Sequence, residues 1–209
     1  QSAALQVVLT HARIPFIIYS GVKFFEQAHI KDITSFMKVL FNPLDEISWM
    51  RILKLLPGVG NTTAFKIFNH FQTEKAVRLK KDNFELQKLI PEKANESWII
   101  FMECFKEILS DNLTPSKIIN ILYNNFYREI LFNSFENPSQ RESDIQYLEE
   151  FSANYQKLDS FLNELSLVGS GIITDNENIK KEPENLTLTT IHQAKGLEWN
   201  LVFVIGLTE

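Results

Sequence analysis

The sequence predicts a mainly α-helical chain with a small α/β part, and three observations carry that prediction. Apolar runs of β-forming residues lie near both ends, at Phe16–Tyr19, Leu186–Ile191 and Leu201–Leu207. Between them, apolar residues recur every three or four positions, the period of a helix face. A stretch mixing Gly, Asn, Pro and both charges, 169–185, then separates the helical part from the closing strands, as a mobile linker does. Strands at both ends of a helical middle describe an α/β domain interrupted by a helical insertion.

Taken in order, Leu5, Val8, Leu9 and Ala12 predict a first helix, which Ile14-Pro15 ends because proline disfavours helical geometry just before itself. Phe16–Tyr19 follows as a strand buried on both faces and stopped by Ser20-Gly21. Ile30, Ile33, Phe36, Met37, Leu40 and Phe41 form the core stripe of a helix that Asn42-Pro43 terminates. From 46 to 132 the periodicity is helical throughout. Trp98, Phe101, Met102, Phe105, Ile108 and Leu109 make one face, and Ile118, Ile119, Leu122 and Phe126 another. Between Asp144 and Val168 the series Leu148, Phe151, Tyr155, Leu158, Leu162 and Leu165 predicts one long helix with a narrow apolar seam. After the linker, 186–191 reads as a strand, and 201–207 has the unbroken apolar character of an interior parallel strand.

Composition narrows the function classes. With 44% hydrophobic residues and 17 Phe in 209 residues, the chain has ample material for a core. A net charge of -5 argues against a globally basic nucleic-acid coat, so any DNA contact must be local. The single cysteine, Cys104, lies among Phe101, Met102 and Phe105 and reads as a buried thiol in a reducing, cytoplasmic compartment. No apolar run reaches the roughly 18 residues of a membrane span. The chain opens on Gln1 rather than a methionine, which predicts an internal piece of a longer protein.

Catalytic signatures are excluded one by one. The seven glycines never fit the phosphate-cradling pattern G-x-x-x-x-G-K-[ST], so the chain by itself is not expected to hydrolyse ATP. His11, His29, His70 and His192 are scattered and lack metal-site spacing, and no metal site is predicted. There is no nucleophile elbow, and nothing pairs two carboxylates in a common pocket.

Two segments carry candidate chemistry. The first, His192-Gln-Ala-Lys195-Gly196-Leu-Glu198, lies where one strand ends and the chain turns toward the next, the usual place for functional groups in an open α/β sheet. Lysine beside glycine suits phosphate, because it joins a charge to an accessible backbone. Glu198 could accept hydrogen bonds from sugar hydroxyls, and His192 could donate one to a nucleic-acid phosphate. On chemistry alone a strand-end histidine is more often structural and a Lys-Gly pair more often a solvated turn, so the question stays open. The second segment, Leu56-Pro-Gly58-Val59-Gly60-Asn-Thr62-Thr-Ala-Phe-Lys66, has the form of a helix-hairpin-helix turn. Its backbone amides can hold one phosphate, with Lys66 adding charge. The competing reading is a glycine-bearing link between packed helices.

Thr190-Ile-His192-Gln-Ala-Lys195-Gly196-Leu-Glu198-Trp199, followed by an apolar strand and Gly206-Leu-Thr-Glu209, resembles motif V of superfamily 1 DNA helicases of the UvrD, Rep and PcrA type. The beginning agrees. Gln1-Ser2, Ile14-Pro15-Phe16, Gly21, Phe24-Phe25, Ile30-Lys31-Asp32 and Asn42-Pro43-Leu44-Asp45 follow that family's runs in order and spacing. Ala3, Gln6, Ser20 and His29 depart from them, replacing a usual Arg, a frequent Glu, a Gly and a Glu respectively. Phe24 and Phe25 read as core anchors of the following helix rather than base-stacking residues.

The resemblance implies residues 1–50 and 186–209 as parts of an incomplete RecA-like parallel-sheet domain, 2A. It implies 51–185 as the helical 2B insertion with its linker. In that frame Lys195, Gly196 and Glu198 lie on the nucleotide side of the motor cleft and His192 contacts the single-stranded DNA backbone. The turn at Gly58, Val59, Gly60, Thr62 and Lys66 faces duplex DNA. ATP and Mg belong to the full-length enzyme, and none is expected on this piece alone. The implied partners are single-stranded DNA, single-strand/duplex junctions and domains 1A and 1B of the same parent chain, with no membrane. Roles in DNA repair and replication follow for such enzymes. A non-catalytic DNA-binding or regulatory module with a helicase-like fold is the alternative, prompted by Ala3, Gln6 and His29. A helicase-nuclease subunit is a further one.

Overall fold

The computed structural model describes residues 2–12, 14–18, 24–73, 84–110, 112–171, 186–191 and 194–205. The chain divides into two compact units. One is Ala28–Asn163, and the other joins Gln1–Gln27 to Glu164–Glu209.

The unit formed by the two ends contains α1 (Ser2–His11), β1 (Phe16–Ile18) and β2 (Leu186–Leu188). β1 and β2 pair in parallel with Phe16 opposite Leu186 and Ile18 opposite Leu188, and the Leu186 amide donates to Pro15 O at 3.0 Å. The two ends therefore do build one sheet. Tyr19, Ser20 and Gly21, where the strand was expected to end, lie outside the described residues, as do linker residues 172–185. In α1 the buried side chains are Gln6, Val7 and Leu9, while Val8 and Ala12 are exposed. The inward face is thus turned from the one that apolar spacing picked.

The predicted strand at 201–207 is corrected. Its described part, Leu201–Ile205, forms no strand and is exposed at every position, from 55% to 76%. An extended apolar run becomes a strand only beside a neighbour that takes its backbone hydrogen bonds, and the two described strands pair with each other.

The Ala28–Asn163 unit is helical, with no strand among its described residues. In order it holds α2 (Ala28–Phe41), α3 (Glu46–Leu53), α4 (Asn61–Thr73), α5 (Phe84–Leu89) and α6 (Asn95–Ser110). There follow α7 (Pro115–Leu122), a π turn (Tyr123–Tyr127), α8 (Arg128–Ser134), α9 (Pro138–Ser152) and the start of α10 (Leu158–Gly171). Local chemistry sets several starts. Asp45 caps α3 through Ser48, its Oδ1 accepting from the amide at 3.1 Å and its Oδ2 from the hydroxyl at 2.7 Å. Pro115 and Pro138 open α7 and α9, where a missing N–H costs nothing.

An aromatic core holds this unit. Phe36 of α2 meets Phe101 and Phe105 of α6 and Phe126 of the π turn, with ring centroids 5.6–5.9 Å apart. Trp49 stacks on Phe105 at 5.8 Å and donates its indole N–H to Pro43 O at 2.9 Å. Phe41, counted in the α2 stripe, is instead 58% exposed, and Val39 is buried in its place.

The single helix expected over Asp144–Val168 is two helices. α9 stops at Ser152 and α10 starts at Leu158. Ser152 and Asn154 turn their side chains back onto the carbonyls of Glu149 and Phe151, competing with the helical ladder at the bend. Phe151, Tyr155 and Phe161 then fill the corner with mutual centroid distances of 5.5–5.9 Å. The three-and-four spacing was real but ran across a corner.

Candidate nucleic-acid and nucleotide interfaces

The hairpin between α3 and α4 is built by Pro57 and Gly58. The Leu55 and Leu56 amides donate to Ile52 and Leu53 O, each at 3.2 Å, which tightens the end of α3. The Val59 amide donates to Leu56 O at 3.1 Å, closing a turn with Pro57 and Gly58 at its centre. Gly58 has φ +75°, the left-handed geometry a type II turn demands at that position. Leu56 and Val59 are buried at the turn, so the Val59 side chain serves as its anchor. The Ala64 amide donates to Gly60 O at 2.9 Å, so residues 61–63 present amides ahead of the first helical bond. Gly58, Gly60, Thr62 and Lys66 are exposed, and a β-carbon at Gly60 would meet nothing within 4 Å.

The fold adds a neighbour that the sequence did not point to. Pro91 and Lys93 stand beside Gly58, their β-carbons 3.6 and 3.9 Å from where a β-carbon on Gly58 would lie. No spacing rule connects positions so far apart, so this proximity is legible only in three dimensions.

The second candidate set follows β2. The Ala194 amide donates to Thr190 O at 2.9 Å and the Leu197 amide to Ala194 O at 3.0 Å. The latter bond closes a turn with Lys195 and Gly196 at its centre, and Gly196 has φ +84°. Lys195, Gly196 and Glu198 are exposed. A β-carbon on Gly196 would meet nothing within 4 Å, so the positive φ alone demands glycine there. An open turn with a bare backbone and an adjacent ammonium is a fitting place for an anion. His192 lies outside the described residues. The hairpin set belongs wholly to one unit and the Lys195 set to the other.

Two positions that depart from the helicase pattern have structural employment. Gln6 is buried, and its Oε1 accepts from the Phe24 amide at 2.9 Å. Phe24 is fully buried and meets Phe25 edge-on at 4.9 Å, consistent with its reading as a core anchor. His29 is fully buried between α2 and α9. Its Nε2 lies 3.1 Å from Asp144 Oδ2, and its Nδ1 lies 2.9 Å from the Arg141 guanidinium. Because Arg141 can only donate, Nδ1 must accept, which puts the ring proton on Nε2 facing Asp144. Asp144 Oδ1 is buried without a partner. Ala3 falls in α1.

A second buried network ties α2 to α3 and to the π turn. Asp32 accepts from Arg51 Nε at 2.6 Å and from the Tyr127 hydroxyl at 2.5 Å. Burial, with Asp32 beside it, pushes the Tyr127 hydroxyl pKa well up. Tyr123, at the other end of the π turn, donates to Glu142 at 2.6 Å, and burial with that carboxylate raises its pKa to about 12. Cys104 is buried as expected, and burial raises its thiol to about 12. Among the described residues no three His, Cys, Asp or Glu side chains gather as a metal site would require. No described helix is long and apolar enough to cross a membrane.

These features define an α/β chain interrupted by a helical body, with strands 16–18 and 186–188 paired in parallel across the helical unit in sequence. A lysine-glycine turn follows the second strand, and a glycine hairpin lies within the helical body. The chain belongs to the UvrD-like helicase C-terminal domain family, whose sequence model matches residues 1–209. It is similar to the ATP-dependent DNA helicase PcrA of Staphylococcus aureus (strain Mu50 / ATCC 700699), 28% identical over 226 residues that cover 100% of this chain and 30% of that protein. The ATP-dependent DNA helicase PcrA of Staphylococcus epidermidis (strain ATCC 12228 / FDA PCI 1200) is likewise 28% identical, over 225 residues with the same coverage. The chain thus spans about a third of the length of these relatives.

Proposed function

We propose that this chain is part of an ATP-dependent DNA helicase whose full length couples ATP hydrolysis to movement along single-stranded DNA and to duplex unwinding. In this reading 1–50 and 186–209 form part of the RecA-like domain 2A, and 51–185 form the 2B insertion. The observation that carries it is the sequence 190–199, whose residues 194–197 fold as a turn after a parallel strand with Lys195 and Gly196 exposed and Gly196 at φ +84°. ATP with Mg would supply the driving energy in the whole enzyme. Lys195 would offer charge to its phosphates, the Gly196 backbone would allow close approach, and Glu198 would accept from the ribose. His192 would hold the single-stranded backbone. The chain itself contains no triphosphate-cradling loop, so turnover needs domains 1A and 1B of the parent protein.

The hairpin at Gly58–Lys66 is the duplex contact in this reading, sensing phosphate position rather than base sequence. Gln6 and His29 are taken up by core hydrogen bonds, so their departure from the family pattern gives no support to a non-catalytic module. The test is binding of a labelled single-strand/duplex junction across a salt series, comparing wild type with Lys66→Ala and a Gly58→Val/Gly60→Val double variant verified as folded. Loss of a salt-sensitive duplex preference in the folded double variant supports the hairpin as a phosphate clamp. Absence of wild-type binding at low salt overturns it.

A further inference from the structure

The hairpin has cationic groups on three elements. Lys54 stands at the end of α3, Lys66 lies in α4, and Lys93 lies in the 3-10 turn Glu92–Ala94. All three are exposed, and none forms an ion pair among the described residues. Lys54 and Lys66 are near the glycines in sequence. Lys93 arrives through folding alone. Ala94 is fully buried and its amide donates to Pro91 O at 2.8 Å, which pins the 3-10 turn, while the Pro91 β-carbon lies 3.6 Å from where a β-carbon on Gly58 would be. The Lys93 β-carbon is thereby fixed 3.9 Å from the β-carbon position of Gly58, with its ammonium on a long exposed stem. Glu92 bears the opposite charge, but consecutive residues of a 3-10 turn project about 120° apart, so the two need not share a side.

We propose that Lys93 is a phosphate-contacting residue of the hairpin, so that this surface grips a DNA duplex backbone from two elements rather than one. The proposal rests on the reading of the hairpin as a duplex contact. On a chain of net charge -5 it adds a cation from a separate element to the surroundings of the turn, where phosphate contact must be local. A second point of attachment also fixes the direction in which the backbone crosses the turn, which one contact cannot do.

The test is equilibrium binding of a blunt duplex and of the matching single strand to the 209-residue chain over a series from about 50 to 200 mM salt. Lys93→Ala, Lys93→Arg, Lys66→Ala and Lys117→Ala, an exposed α7 lysine, are compared, each confirmed as folded by its melting curve. Lys93→Ala should lower the slope of log K against log salt for duplex by about 1, so that about 3.5-fold of the affinity lost across the series disappears. Lys93→Arg should keep the wild-type slope, and so should Lys117→Ala. If Lys66→Ala lowers the slope while Lys93→Ala leaves it unchanged, the hairpin reading stands and the role of Lys93 is overturned. If Lys93→Ala acts equally on single strand and duplex, its assignment to the duplex backbone is overturned. If wild type does not bind duplex at low salt, both fall together.

Discussion

Replacing His29 by leucine should destabilise the helical unit far more than its loss of packing explains. The ring is fully buried, and Asp144, only 3% exposed, accepts a hydrogen bond from His29 Nε2. Its other oxygen already has no partner. In His29→Leu the carboxylate is therefore buried with no donor at all. Arg141 keeps the face of Phe135 at 4.6 Å and Glu136 O at 3.3 Å, so the damage centres on Asp144. Leaving a buried polar group without its partner costs about 1–3 kcal/mol, and the upper end applies because the group left behind is a carboxylate. Adding Asp144→Leu removes the orphaned charge, and the double variant should lie within about 1 kcal/mol of wild type, since two apolar groups can replace a buried polar pair almost neutrally. Urea unfolding followed by the fluorescence of Trp49 and Trp98, both buried in this unit, completes the double-mutant cycle. A single-variant loss below about 1 kcal/mol would refute the reasoning. So would a double variant as unstable as the sum of the two singles.

Two further outcomes are expected. Gly58→Ala should cost about 1–2 kcal/mol from left-handed strain, with Pro91 close by, whereas Gly60→Ala should be nearly silent because open space surrounds that position; equal losses in thermal unfolding would contradict the assignment. Stability should fall as pH rises from about 9 toward 12, because Cys104 and Tyr123 hold their protons to about 12 in the folded state while the unfolded chain releases them at 9.0 and 10.0. Below about pH 9 both groups are protonated in both states and their contribution is fully present. Cys104→Ala should make this alkaline loss shallower in urea titrations at several pH values, and an unchanged pH slope would remove the thiol from the account.

Helix periodicity made most of the helical unit legible, because residues such as Phe36, Phe101 and Phe126 are core on one face each. What it could not see was the interruption at 153–157. Ser152, Asn154 and the Phe151, Tyr155 and Phe161 rings keep the spacing of a helix while the backbone turns a corner. The run 201–207 misled for a different reason: an apolar β sequence specifies readiness to pair, and pairing depends on a neighbour that the sequence of the run does not contain. Buried polar residues were the hardest class. Gln6 and His29 drew notice as departures from a charge pattern, yet their partners Phe24, Asp144 and Arg141 follow no local spacing.

The two glycine turns use the same backbone device and differ in what surrounds it. Each closes a hydrogen bond from the fourth residue to the first, over a glycine of positive φ with a non-glycine residue before it. At Gly58 the turn is backed by Pro91 and underlain by Leu56 and Val59, so its amides and the adjacent Lys93 β-carbon are held in fixed relation before any ligand arrives. Such preorganisation lowers the ordering cost of binding and favours recognition of a rigid shape, which suits a duplex backbone. At Gly196 nothing described lies within 4 Å of the missing side chain, and Lys195, Leu197 and Glu198 are all exposed. Substitution there acts through φ alone, and the position of Lys195 is left to its own rotamers. Tight geometry at the second turn must therefore be imposed by what binds there. The preformed hairpin should lose less conformational freedom on binding an anion than the strand-exit turn, whose Lys195 the anion itself must order.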